Sequence, residues 1–160
     1  MEKEFKPFLA IDPGLNFGWA YWGEDMLVPS RVGLERTKGK GDNWEERSLM
    51  AANKLHNLLI DSWLDEDTLD RVVCEWPDFV GVTSKGGVGK LHCLIGMFAR
   101  TVDARGIPFQ RIPVREWKGQ LPKEVVNKRI EQRLGKPFCK QLKADMWDAV
   151  GIGLHYLGEF

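Results

Sequence analysis

The chain has 160 residues, with 23 Lys and Arg balanced by 23 Asp and Glu and an ample aromatic supply of 7 Trp and 8 Phe. This length suits one domain spanning 1–160 with a two- or three-layer core, and no apolar stretch approaches the roughly 18 to 20 residues of a membrane span. The opening MEKEFKPF lacks an apolar signal core, so a cytoplasmic location is expected, while Cys74, Cys93 and Cys139, odd in number and without CxxC spacing, exclude a disulfide framework and a zinc site and read as small buried hydrophobes.

In chain order, Phe8 to Asp12 is an apolar run ending in a carboxylate before Pro13 and Gly14, which predicts a buried strand with the acid at its tip. Gly18 to Trp22 follows as a second strand across the turn GLNFG, and a third is expected around Met26 to Leu34. Asn43 and Glu46 form a capping-box pattern that opens a helix through Leu49, Ala52, Leu55, Leu59 and Trp63. Val72, Val73 and Cys74 lead to Glu75, repeating the strand-tip arrangement of Asp12. The glycine-rich WPDFVGVTSKGGVGK comes next. It fails the phosphate-loop template, because Ser84 replaces the first Gly and Leu91 follows Lys90, so no nucleotide cofactor is expected.

Leu91 to Ala104 reads as a buried helix and Pro108 to Ile112 as a strand. Pro122 opens a helix that runs to Leu134 and stops at Gly135. Ala144 to Leu157 has helical spacing, so Asp145 and Asp148, three apart, share a face. The element order predicts an α/β domain with a mixed sheet.

Each acid alone has an ordinary explanation, as a turn residue, a strand cap or a first-turn helix acid. Together, two strand tips and one helix face bring Asp12, Glu75, Asp145 and Asp148 toward one point. Four close carboxylates raise one another's pKa unless a cation compensates, and hard divalent ions such as Mg2+ or Mn2+ prefer oxygen ligands. Charge is also unevenly spread: residues 100–144 hold 12 Lys and Arg against 4 Asp and Glu, whereas residues 1–75 hold 9 against 15. Such a basic block suits a polyanionic partner, although Lys128, Arg129 and Arg133 also fit a solvated helix face.

The opening IDPGLNFGWA, the strand-end acid in VVCEWP, the segment PVREWKG with PKEVV after it, and the closing KADMWDAVGIGLHY resemble the RuvC-type Holliday junction resolvases of the RNase H-like superfamily, as a phage or divergent bacterial member. The resemblance implies an RNase H-like fold, a five-stranded mixed sheet flanked by helices. It also implies a homodimer that places paired symmetric nicks across four-way DNA, in DNA recombination and repair, within the bacterial cytoplasm even for a phage protein. Asp12, Glu75, Asp145 and Asp148 match the family's acids, which hold two Mg2+, with Mn2+ able to substitute. The family's basic residues near the site match Lys123 and one of Arg115 and Lys118, an assignment left open. Phe79 and Trp76 are the implied junction wedge, and Lys85 and Lys90 in the same loop region are further candidate DNA contacts. The apolar helix from Leu91 to Phe98 is the expected dimer surface.

Two-metal hydrolysis would leave 5′-phosphate and 3′-hydroxyl ends. Two alternatives share the sequence pattern: a nuclease of RNase H type or broader branched-DNA selectivity, and a noncatalytic protein that binds branched DNA. Four retained, mutually repelling acids argue against the latter.

Overall fold

The computed structural model describes residues 6–23, 27–38, 43–61, 69–78 and 87–160. Its elements are β1 (Phe8–Asp12), β2 (Phe17–Trp22), β3 (Arg31–Glu35), α1 (Trp44–Ile60), β4 (Arg71–Trp76), α2 (Gly87–Asp103), β5 (Phe109–Pro113), α3 (Val114–Trp117), α4 (Lys123–Leu134), α5 (Lys136–Cys139) and α6 (Met146–Tyr156). The strands form one mixed sheet in the order β3-β2-β1-β4-β5. Strands β1, β2 and β3 make an antiparallel meander, and β4 and β5 run parallel to β1.

Strand alternation divides the core into two layers. Leu9 and Ile11 of β1 join Val72 and Cys74 of β4 beneath Leu55 and Leu59 of α1 and Leu94 and Phe98 of α2. Phe8 and Ala10 face the other way, with Val73, against Val126 and Ile130 of α4 and Ala149, Val150, Ile152 and Leu154 of α6. Because successive strand side chains alternate, Asp12 continues the Phe8–Ala10 series and Glu75 continues from Val73. Both acids therefore emerge on the α6 side. Ile11 pairs in register with Cys74, so Asp12 and Glu75 leave adjacent parallel strands at the same, carboxyl-terminal end.

Close packing on the α6 side depends on missing side chains. A Cβ on Gly153 would overlap the Trp22 ring, and one on Gly151 would crowd the Trp117 ring at 2.5 Å. Glycine inside a helix costs roughly 0.5–1 kcal/mol relative to Ala, a penalty offset here by burying two indoles against α6.

Several boundaries differ from the sequence expectations. The third strand begins at Arg31, not near Met26, which itself lies outside the described residues. Helix α2 starts at Gly87, a full turn before Leu91, and the one-turn helices α3 and α5 were not anticipated. The Asn43 cap is present, its side chain accepting from the Glu46 amide at 3.1 Å and donating to the Glu46 carboxylate at 3.2 Å. Leu49 is exposed on α1, and Trp63 lies outside the described residues. Cys74 and Cys139 are buried, but Cys93 is exposed on the outer face of α2, which corrects its reading as a core residue.

Candidate active site

Asp12 ends β1 and pairs across the antiparallel ladder with Gly18 of β2. Gly18 has no side chain for a specific reason: a Cβ there would overlap the Asp145 carbonyl group and lie 2.7 Å from the Met146 amide nitrogen. The start of α6 is thus laid against the sheet beside Asp12. Asp145 is the residue before α6 and its side chain makes no capping hydrogen bond, while Asp148 lies in the first turn. Ala144, with φ 41, supplies the left-handed kink that turns the chain into the helix. Sequence spacing had placed Asp145 inside the helix; it stands at its threshold instead.

Glu75 is held by two donors. The Trp117 indole donates from Nε1 to Glu75 Oε2 at 2.9 Å, and Lys118 Nζ lies 3.3 Å from the same oxygen. Lys118 also donates to Asp148 Oδ2 at 3.2 Å, tying β4 to α6 through one ammonium group. Its Nζ sits 4.6 Å from the centroid of the adjacent Trp117 ring, within cation–π range. Helix α3 makes this possible by following β5 directly, with Pro113 as its cap and Gly119 in the left-handed region (φ 55) ending it after Lys118.

The electrostatics follow from this crowding. Burial pushes the Asp12 carboxyl well above its ordinary pKa, with Glu75, Asp148 and Asp145 adding to the rise and Lys118 only partly opposing it. Burial also raises Glu75, against the lowering influence of Lys118 and of the Trp117 hydrogen bond. Burial alone would lower Lys118, but Glu75 and Asp148 overcome it, so its pKa rises and the amine stays charged. The arrangement is an acidic site short of positive charge, with one lysine as resident counterion.

An all-carboxylate donor set of this kind fits a hard divalent cation such as Mg2+ or Mn2+. Among the described residues no three acidic, His or Cys side chains are drawn into a finished metal cage, and Lys118 occupies the approach between Glu75 and Asp148. A cation entering there would favour the charged form of Asp12, against the burial and neighbouring carboxylates that raise its pKa.

The structure separates the other sequence candidates. Of the two cations left open, Lys118 meets the acids, whereas the exposed Arg115 guanidinium engages Asp78 at 3.1 Å and the Arg115 amide donates to the same carboxylate. Lys123 is exposed at the first residue of α4. Trp76 is not a free blade: its ring stacks on His92 with centroids 4.2 Å apart, and Arg111 covers it at 4.6 Å. Phe79 and Lys85 lie outside the described residues, and Lys90 is exposed near the start of α2.

Two contributors escaped the sequence reading. Trp117 stood beside Lys118 in PVREWKG, but adjacent residues in a longer helix diverge by about 100°, so nothing indicated that both would reach Glu75. Gly18 read as turn chemistry, not as the clearance for Asp145.

No family model and no curated protein matches the chain. Solved structures do. RuvC from T. thermophilus in complex with a Holliday junction substrate superposes with a TM-score of 0.74 at 17% identity, over 96% of this chain and 93% of that one. A second structure of Thermus thermophilus RuvC gives 0.65 at 16% identity over 96% and 97%. The Fowlpox virus resolvase, in complex with its substrate Holliday junction DNA, gives 0.58 at 11% identity over 96% and 99%. The five-stranded mixed sheet flanked by helices is therefore the RNase H-like fold of these proteins.

Proposed function

We propose that this chain is a RuvC-type resolvase, a structure-selective endodeoxyribonuclease that cuts Holliday junctions by paired symmetric nicks and leaves 5′-phosphate and 3′-hydroxyl ends. The observation that carries this reading is the meeting of Asp12, Glu75 and Asp148 around Lys118, with Asp145 beside them. It occurs in a fold that superposes on a junction-bound resolvase over nearly its full length.

Asp12, Glu75, Asp145 and Asp148 would hold two Mg2+ ions, or Mn2+, which when bound supply the Lewis acidity that activates water and stabilises the leaving 3′ oxygen. Glu75 is kept from rotating by the Trp117 hydrogen bond. Lys118, which meets Glu75 and Asp148, would offer its charge to the phosphate as negative charge develops there. The exposed Lys123 and Arg115 would serve as contacts to the strand backbone.

Paired nicks require two such sites, so the active species is a twofold homodimer bound to four-way DNA in recombination and repair. The apolar face of Leu91 to Phe98, the expected dimer surface, is instead largely spent on the core, where Leu94, Ile95 and Phe98 are buried, so a partner would meet the outward face of α2.

The decisive experiment compares a labelled four-way junction with linear duplex and RNA/DNA hybrid of matched sequence, in Mg2+, Mn2+ or EDTA. Metal-dependent paired nicks confined to the junction support the resolvase reading. Hybrid cleavage would reassign the substrate, and junction binding without cleavage in any metal would reduce the protein to a binding role.

A further inference from the structure

On the opposite side of the sheet from α6, a pocket of about 160 Å3 is lined by Leu15, Trp44, Arg47 and Lys90. Leu15 belongs to the turn that leaves Asp12, Trp44 and Arg47 to the start of α1, and Lys90 to the start of α2. Arg47 is fixed in place. Its Nε donates to Thr37 Oγ1 at 3.0 Å, and the buried Thr37 is itself bound to the turn, its hydroxyl donating to Leu15 O at 2.9 Å and its amide to Asn16 Oδ1 at 3.0 Å.

Among the described residues the charge here is uncompensated. Cations elsewhere, including Lys54, Arg100, Arg115 and Arg133, pair with acids. Among the described residues neither Arg47 nor Lys90 has an acidic partner, and the neighbouring Glu46 is turned to Asn43. Two cations facing one cavity repel each other unless an anion lies between them.

We infer that this pocket is a second DNA-backbone site, which grips a phosphodiester of the strand whose scissile bond lies at Asp12. The inference rests on the nuclease reading of the acidic site. Size favours a phosphate group over a nucleoside, because pockets for whole small molecules run to about 300–1,000 Å3. Position favours the same strand. Leu15 is three residues from Asp12, so their Cα atoms are at most about 11 Å apart, and a DNA strand advances about 3.4 Å of helix axis per phosphate. The pocket wall thus lies within about three phosphates of the cut. Trp44, half-buried at the rim, offers an apolar face to the adjoining sugar or base. Through Thr37, a phosphate held by Arg47 also steadies the turn that aims Asp12.

The test is fluorescence anisotropy of labelled four-way junction, linear duplex and single strand in EDTA over a salt series, with Lys90→Ala, Arg47→Lys and the double variant Arg47→Ala/Lys90→Ala. Thermal melts keep folding defects separate, and the exposed Lys90 is the variant least exposed to them. Lys90→Ala should weaken binding about threefold to tenfold, and the double variant, which leaves the one gripped phosphate without a cation, should make the slope of log K against log salt shallower by about 1. Arg47→Lys, which keeps the charge, should leave the slope intact. Wild-type affinity and slope in Lys90→Ala and in the double variant overturn the pocket. A wild-type protein without junction preference, whose linear-DNA binding still loses slope in the variants, supports the pocket and overturns the junction reading. No DNA binding at all overturns both. Inorganic phosphate that perturbs Trp44 emission, with DNA binding unchanged in every variant, assigns the pocket to free phosphate and overturns the backbone proposal.

Discussion

Trp117 and Glu75 are joined by a 2.9 Å hydrogen bond in which an indole nitrogen from α3 fixes a carboxylate at the tip of β4. Lys118 meets the same oxygen at 3.3 Å, so both donors fall on one Glu75 oxygen. A hydrogen bond to a charged group contributes about 1.5–3 kcal/mol. Trp117→Phe removes the donor and keeps an aromatic ring, but it also withdraws the outer indole ring that reaches Gly151, so thermal melts accompany it. The half-saturating Mg2+ for junction cutting should rise about tenfold, consistent with that bond energy, while junction binding in EDTA stays at the wild-type level. An unchanged Mg2+ titration would remove Trp117 from the site's machinery.

Gly18→Ala tests how α6 is seated. The added methyl meets backbone at Asp145 and Met146, not a side chain that can rotate away. Overpacking typically costs about 1–3 kcal/mol, and a backbone obstacle places this variant at the upper end. Urea denaturation should show a lowered midpoint, and cleavage should fall with it because Asp145 and Asp148 move away from Asp12. Wild-type stability together with wild-type cleavage would contradict the close approach.

Asp148→Asn removes one acid and one partner of Lys118. Cleavage of the junction should drop by at least about a hundredfold, in line with the loss of preorganised electrostatic groups elsewhere, with binding in EDTA nearly unaffected. Normal cleavage by this variant would defeat the metal assignment.

The crowded acids also predict a pH signature of stability. Asp12 and Glu75 titrate above their ordinary range in the folded protein, so between the unfolded and folded pKa values the native state holds more protons than the unfolded chain. Stability in EDTA should therefore fall as pH rises from about 4 through the raised folded values, and remain reduced above them. Asp12→Asn should flatten this decline, and saturating Mg2+ should offset it at neutral pH. Thermal melts across pH with and without EDTA provide the check; a metal-free melting profile identical in wild type and Asp12→Asn would refute the raised pKa of the buried Asp12.

The parts of this molecule visible in its sequence are those governed by local periodicity. The continuous burial of Phe8–Ile11, the Asn43 cap and the Pro122 to Gly135 helix all depend on neighbours in the chain, and each acquired its expected form. The acids were legible for the same reason, Asp12 and Glu75 at strand tips and Asp145 and Asp148 at the start of a helix. What escaped depends on contacts between distant segments. The Trp117 bond spans 42 residues, and the clearance at Gly18 is set by residues 145 and 146. The pocket joining Leu15, Trp44, Arg47 and Lys90 draws three of its four lining residues from the part of the chain that composition marks as acidic.

The parallel register of β1 with β4 has a consequence for how such a chain tolerates change. With Ile11 opposite Cys74, the carboxylates occupy neighbouring tips only because both strands keep the same count and phase. Insertions in the connections can be absorbed by the surface, but deleting one residue within β4 would exchange its two faces. Cys74 would then take the side that Glu75 now serves, and Glu75 would be driven into the layer beneath α1 and α2. Frame-preserving single-codon deletions in β1 or β4 should thus be as disabling as replacing an acid outright, while equal losses in the connecting segments leave the protein viable.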